Sequence, residues 1–238
     1  RDKLVTGVQT CALPIFSDSG RLLSESAGRL YEYDPETGKR MKRAKMPFSF
    51  RHDLLGRISL ATRFLRLGIR GAIEFDNEKF ILVRDSCFHE LDLRTGTVRM
   101  LGPVPTGSRP LSMLRLRDFP GFDDGIYYGE YPSSLEEHPV SIRRIAPGKE
   151  DSSVFTFAIG KIGHIHNLVP DPFRKVVWVL TGDFGNSAGL WMARNNFHEV
   201  EPVLTGNQKY RACWAEAVVG GLLYATDSPL EKNSVRLL

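Results

Sequence analysis

Residues 163–183 read GHIHNLVPDPFRKVVWVLTGD. Two histidines enter an apolar run, Pro170, Asp171 and Pro172 interrupt it, and a second apolar run ends on Asp183. Proline fixes φ and lacks an amide donor, so a Pro-Asp-Pro cluster between two β-rich runs marks a turn between paired strands. The stretch is therefore an antiparallel strand pair, and looser copies of it recur along the chain.

Residues 28–46, GRLYEYDPETGKRMKRAKM, alternate and then turn at Asp34, Pro35, Glu36, Thr37 and Gly38. Residues 88–100, FHELDLRTGTVRM, put Asp92, Thr95 and Gly96 in the places of Asp34, Thr37 and Gly38. Four further apolar runs each end in an acid: FILVRD at Asp85, GIYYGE at Glu130, VVWVLTGD at Asp183 and GLLYATD at Asp227. Those acids are 45, 53 and 44 residues apart. A four-stranded propeller blade takes about 40–45 residues. The sequence thus predicts an all-β chain, a β-propeller of four-stranded antiparallel blades. It holds about four blades plus part of another, from a parent of six or seven. Each blade runs inner strand, turn, second strand, then two outer strands.

Two stretches stand outside this pattern. Residues 5–15, VTGVQTCALPI, resemble the in-frame translation of a sequencing-library adapter, so residues 1–15 are set aside as an artefact. Residues 16–238 are then read as one propeller domain truncated at both ends. In residues 51–70, RHDLLGRISLATRFLRLGIR, Leu54, Leu55, Ile58, Phe64 and Leu65 fall near helical spacing. This predicts a short helical insertion over 51–68, packing its apolar side on the propeller rather than on a membrane.

Composition narrows the function classes. The formal charge is +4, or +3 without Arg1, Asp2 and Lys3, and bases are interspersed with acids. No basic-aromatic stripe points to nucleic acid. No apolar run is long enough to span a membrane. Setting Cys11 aside leaves Cys87 and Cys213, both inside apolar patterns, which predicts two buried free thiols. Phosphate-loop, zinc-protease and nucleophile-elbow motifs are absent.

In a propeller, the start of an inner strand and the end of the second strand lie at the same face, near the central channel. The inner strands begin GIRGAI, SRPLSM, HIHNLV and YRACWA. Spacing puts Arg70, Arg109, His166 and Arg211 in equivalent positions, 15, 21, 17 and 16 residues before the acids Asp85, Glu130, Asp183 and Asp227. His164 lies two residues before His166, on the same side of the strand.

Residues 125–146, 163–183 and 208–233 resemble uncharacterised bacterial propellers related to the sialidase-like, Asp-box-repeat proteins. The likeness runs from about Leu65 onward. The nearest candidate for an Asp-box, ARNNFHEV at 193–200, keeps almost none of that motif. The resemblance implies an anionic carbohydrate as ligand, with Arg70, Arg109 and Arg211 as candidates for the three arginines that hold a sugar carboxylate.

The residues allow several chemistries. An arginine fork pairs bidentately with a carboxylate, so Arg70, Arg109 and Arg211, with Asp227, form the expected ligand-binding set. His164, His166, Glu130 and Asp183 are the candidates around a reacting bond, as acid, base or nucleophile partner, with Tyr127, Tyr128 and Tyr210 near in sequence. No cofactor is required. A divalent metal could sit on His164 and His166, with Asp183 or Glu130 completing the set, as a uronate lyase would use it. The bland alternative is an interaction propeller in which arginines and acids merely join the blades.

Overall fold

The computed structural model describes residues 15–16, 20–49, 67–105, 109–132, 138–146, 151–182 and 185–238. The helix expected over 51–68 and Asp183 lie outside the described residues, except for Leu67 and Gly68. Two compact units divide the chain, Arg1–Val104 and Pro105–Leu238.

In the first unit, β1 (Ile15–Phe16), β2 (Leu22–Ser26), β3 (Arg29–Tyr33) and β4 (Arg40–Lys45) form one antiparallel sheet in that order. A second sheet takes β5 (Gly71–Asp76), β6 (Lys79–Arg84), β7 (Cys87–Asp92) and β8 (Thr97–Pro103). The repeat seen in the sequence is the outer hairpin of each sheet. Asp34 Oδ1 accepts from the Glu36 and Thr37 amides at 2.9 and 3.2 Å, and Asp92 Oδ1 accepts from those of Arg94 and Thr95 at the same distances. Gly38 and Gly96 follow at φ of +68° and +71°, the left-handed region that a side chain would resist. Phe80 and Leu82 of β6 and Leu91 of β7 bury against Leu23, Leu30 and Ala44 of the first sheet.

The second unit has three sheets. The first holds β9 (Met113–Leu116), β10 (Gly125–Gly129), β11 (Val140–Ile145) and β12 (Ser152–Phe157). The next holds β13 (His164–Asp171), β14 (Val176–Gly182), β15 (Gly189–Arg194) and β16 (Glu199–Thr205). The last holds β17 (Ala212–Val218), β18 (Gly221–Thr226) and β19 (Val235–Leu237). Every sheet is a meander of sequential antiparallel strands, which is the propeller blade that the sequence predicts.

β14 shows why its sequence is apolar throughout. All seven of its residues are buried. Val177 and Val179 face Tyr127, Ile142 and Ile165 on one side, while Val176, Trp178 and Leu180 face Ala212, Ala215 and Tyr224 on the other. A strand covered on both faces loses the apolar-polar alternation of a half-exposed one. Each such side chain contributes about 1.5–3 kcal/mol on burial. Stacking this close needs small residues at the crossings. A Cβ added to Gly129 would overlap Ile165, so β10 can approach β13 only with glycine there.

The Pro-Asp-Pro turn is built on a buried carboxylate. Asp171 has no exposed surface. Its Oδ1 accepts from the Phe173 and Arg174 amides, and its Oδ2 from Trp178 Nε1 and Arg174 Nη1, all at 3.0 Å. Arg174 also donates to the Val218 and Val219 carbonyls at 3.2 Å, tying this turn to the one between β17 and β18. Burial alone would raise the Asp171 pKa, but the hydrogen bonds from Trp178 and Arg174 outweigh it and hold the carboxyl below its ordinary value.

Gly129→Ala should lower the unfolding free energy by about 1–3 kcal/mol, the usual cost of overpacking. Gly220→Ala, which meets nothing within 4 Å, should change it by under ~0.5 kcal/mol. Denaturant titration checks both. Asp171→Ala should cost about 3 kcal/mol at pH 7, because it strands the Arg174 and Trp178 donors. A depressed folded-state pKa contributes stability above the unfolded carboxylate value near ~3.9, lost as pH falls through the folded value. The stability difference between wild type and Asp171→Asn should therefore shrink as the pH is taken below about 4.

Candidate functional site

Both β13 and β17 begin with a β-bulge. In β13 the register slips between Ile165 and Asn167, leaving His166 as the extra residue. In β17 it slips between Ala212 and Trp214, leaving Cys213. The partners of these starts match as well. Thr181 lies opposite Ile165 and donates to the Ser187 carbonyl at 2.8 Å, while Thr226 lies opposite Ala212 and donates to the Ser234 carbonyl at 3.2 Å. His166 therefore corresponds to Cys213, and His164 to Arg211. Sequence spacing had matched His166 with Arg211, an error of two residues. A bulge inserts an unpaired residue that spacing along one strand does not reveal.

The bulges bring a polar cluster to one end of the β13 and β17 pair. His166 Nδ1 lies 2.9 Å from the Ala212 carbonyl and 3.4 Å from Cys213 Sγ. The Cys213 thiol donates to Asp227 Oδ2 at 3.0 Å. Arg211 Nη1 donates to the Asp227 carbonyl and stands 3.9 Å from its Oδ2, and the Asp227 amide returns a bond to the Arg211 carbonyl at 2.9 Å. Arg211 Nε is buried and makes no hydrogen bond. The His164 and His166 rings lie 4.5 Å apart between centroids, and Tyr131 packs edge-on against His164 at 4.6 Å. Ser112 donates to the His166 carbonyl at 3.2 Å, and Asn167 Nδ2 to the Cys213 carbonyl at 3.3 Å.

Both histidines are buried, whereas the Asp227 side chain is 60% exposed and Cys213 is open to solvent. The two thiols are free, but neither is buried: Cys87 is only half-covered. Burial of the sulfur first, and then the Asp227 carboxylate, pushes the Cys213 pKa up to about 12. It is a thiol at neutral pH and is not primed as a nucleophile. The sequence held a signal for it, since Arg211 and Cys213 share the two-residue offset of His164 and His166.

Glu130 sits elsewhere in the second unit's network. It is buried, its Oε2 accepts the Ser141 amide at 2.8 Å, and its Oε1 takes Arg143 Nη1 at 3.4 Å. Arg143 Nε donates to Asp151 Oδ2 at 2.8 Å, and the Tyr128 hydroxyl donates to the same oxygen at 2.9 Å. The Glu130 carbonyl accepts from the Ile165 amide at 3.3 Å. Burial, then Asp151, raises the Tyr128 pKa, and burial pushes that of Tyr127 up to about 12. Both phenols stay protonated, and Tyr127 donates to the Asp123 carbonyl at 2.9 Å, with Asn196 Oδ1 3.2 Å from the same hydroxyl. Tyr210 closes a short turn at Gln208–Tyr210.

The remaining arginines are placed differently from Arg211. Arg70 lies in the first unit, immediately before β5, and its amide donates to the Val83 carbonyl at 2.7 Å. Asp85 follows β6 at φ +53°, with its carboxylate 4.0 Å from Nε of the buried Arg84. Arg109 stands four residues before β9 in the second unit. Among the described residues no group of three or more His, Cys, Asp or Glu is placed to hold a metal, and no helix is long and apolar enough to cross a membrane.

No family model and no curated protein matches the chain. Solved structures do. A gluconolactonase from Xanthomonas campestris aligns at a TM-score of 0.51 and 13% identity, covering 90% of this chain and 68% of its own. Regucalcin from Agrobacterium tumefaciens, a calcium-binding protein, gives 0.54 and 14%, over 90% and 66%. A quinoprotein alcohol dehydrogenase-like protein from Bacteroides thetaiotaomicron gives 0.58 and 10%, over 95% and 51%. The chain thus spans between half and about two thirds of the length of these three. At such identities the likeness shows the β-propeller fold, and it does not single out the sialidase-like group.

The state of the thiol can be measured. Cys213 should react with iodoacetamide at pH 8 far more slowly than an unperturbed cysteine, as followed by peptide mass spectrometry. Asp227→Asn should speed it by lowering the thiol pKa. Equal rates in the two proteins would contradict the Cys213–Asp227 contact.

Proposed function

We propose that the chain is a ligand-binding β-propeller that takes a small carboxylate-bearing carbohydrate at the starts of β13 and β17. The observation that carries this reading is Arg211, whose buried Nε makes no hydrogen bond while its other edge is held by Asp227. An unsatisfied guanidinium donor is costly to bury, and a carboxylate is its natural partner. The neighbouring imidazoles and the Asp227 carboxylate supply partners for sugar hydroxyls. The sequence resemblance to sialidase-like propellers supports an acidic sugar. The gluconolactonase among the fold neighbours is named for chemistry on a sugar acid derivative. Within the second unit Arg109 is the further guanidinium candidate and Asp183 the further acid, while Arg70 belongs to the first unit.

In this reading the site binds before it does anything else. Cleavage would draw on His164 or His166 as acid and base, with Asp183, and would require Glu130 to leave Arg143. A second reading, an interaction propeller without catalysis, is favoured by that same pairing. Arg143 pairs with both Glu130 and Asp151 and so joins strands β10 and β11 to the start of β12.

Isothermal titration with glucuronate, galacturonate and N-acetylneuraminate, each beside its uncharged parent sugar, tests the proposal. One acid should bind better than its neutral parent. Arg211→Lys should weaken that binding about tenfold, because a lysine keeps the charge but loses the fork. Unchanged affinity in Arg211→Lys, or no acid bound better than its parent, would leave the interaction reading.

A further inference from the structure

We infer that Arg84 and His89, in the first unit, form a separate anion site that takes a small monocarboxylate such as formate or acetate. The decisive position is the end of β6. The apolar runs that end in acids place Arg84, Gly129, Gly182 and Thr226 immediately before Asp85, Glu130, Asp183 and Asp227. Three of these positions hold glycine or threonine, and one holds a long cation. Arg84 is nonetheless buried, at 1% exposure, and so is His89, at 5%. Leu82 pairs with His89 and Arg84 with Cys87 in the β6–β7 ladder, so Arg84 and His89 are diagonal neighbours on one face of the sheet. Such neighbours stand about 7–8 Å apart, within reach of a long side chain. Leu82, on the same face, packs with Leu23, Leu30 and Ala44 of the first sheet, which puts the pair at the rim of the core between the two sheets.

One edge of the Arg84 guanidinium has no acceptor. Nη1 donates to the Pro47 carbonyl at 3.1 Å, whereas Nε and Nη2 are buried and make no hydrogen bond. Those two atoms form the side-on edge, where parallel N–H bonds match the two oxygens of a carboxylate. His89 Nδ1 is likewise buried without a hydrogen bond. Burial lowers the His89 pKa against the Cys87 backbone and Asp85, and the Arg84 charge lowers it further, so the ring is neutral at pH 7. In one tautomer a neutral ring presents Nδ1 as a donor and can give the carboxylate a third hydrogen bond. Asp85 does not fill this role. Its Oδ2 stands 4.0 Å from Arg84 Nε, beyond hydrogen-bonding distance, on a side chain 42% exposed to water.

Charge and access set the ligand class. One guanidinium beside a neutral ring offers a single positive charge, and a buried ion pair is tolerated when its charges match and its donors are used. A monocarboxylate meets both conditions. A sulfate or phosphate dianion would leave a surplus negative charge near Asp85. The way in is short. Asp85 and Ser86, which turn the chain from β6 to β7, are exposed, as are Pro47 and Phe48 on the segment after β4. The close cover over the Arg84 edge favours formate or acetate over a sugar acid, which distinguishes this site from the one at β13 and β17.

The test unfolds the full chain by denaturant in rising sodium formate or acetate, with ionic strength held constant by sodium chloride. The unfolding midpoint should rise with the logarithm of carboxylate concentration once the site fills. Arg84→Met should abolish the rise. Arg84→Lys should weaken binding about tenfold, because it keeps the charge and loses the fork, and His89→Leu should weaken it about two- to tenfold. Arg94→Ala, which removes an exposed arginine beside β7, should leave it unchanged. In 15N–1H spectra the Arg84 Nε–H signal, assigned with Arg84→Lys, should shift over the same carboxylate range. A rise as large in Arg84→Met as in wild type, equal stabilisation by sulfate, or an Nε–H signal unmoved by carboxylate would each overturn the inference. Arg211→Lys separates the two sites. A formate response kept in that variant supports the Arg84 site, and a response lost there assigns the carboxylate to the second unit and overturns it.

Discussion

The second unit depends on the burial of β14 on both faces. Val177 and Val179 pack toward one neighbouring sheet while Trp178 and Leu180 pack toward the other. No residue of that strand can then be polar without a partner in hand. Thr181 meets the condition by donating to the Ser187 carbonyl and accepting from Trp191 Nε1 at 3.1 Å. The neighbouring sheets must also approach closely, which is why Gly129 of β10 stands against Ile165 of β13 and why Asp171 and Arg174 fasten the entry turn of β14 to the next sheet.

That stacking determines what the inner strands can present. β13 and β17 lie side by side, and each inserts a bulged residue near its start. The bulge turns His166 and Cys213 toward the same small region, between the Ala212 carbonyl and the Asp227 carboxylate. The groups there are unequal. Asp227, Cys213 and one edge of Arg211 satisfy one another, whereas Arg211 Nε remains a donor and both histidine Nε2 atoms crowd onto Gly182.

Much of this was legible in the residues. The Asp-x-x-Thr-Gly turns, the apolar runs that end in acids and the blade-length spacing all come from local chemistry with a fixed period; the turns and the runs before Asp85 and Glu130 fall in four-stranded sheets, and the run before Asp227 in the three-stranded one. Tyr128, Trp178, Trp191 and Tyr224, aromatic residues within β-rich runs, are all buried. The register of one strand against its neighbours was not legible. Alternation tells which face a side chain takes, but a bulge shifts the count without changing residue types, so His166 was matched with Arg211 instead of Cys213. The partners of Glu130 were hidden for a similar reason. Ser141 and Arg143 are 11 and 13 residues away along the chain and become neighbours only once β10 and β11 pair. Cys213 looked like core because its neighbours in sequence are apolar, yet the residue is exposed, with its sulfur turned toward His166 and Asp227.

The Ala212 carbonyl fixes where the His166 ring sits and which of its nitrogens carries the proton. Long-range 15N–1H correlation spectra of metal-free protein with labelled histidine, assigned with His166→Gln, report both. The account predicts neutral His166 as the Nδ1–H tautomer, its proton slowed in exchange by the Ala212 carbonyl. An Nε2–H tautomer, or an Nδ1 proton exchanging as freely as in an exposed histidine, would contradict it.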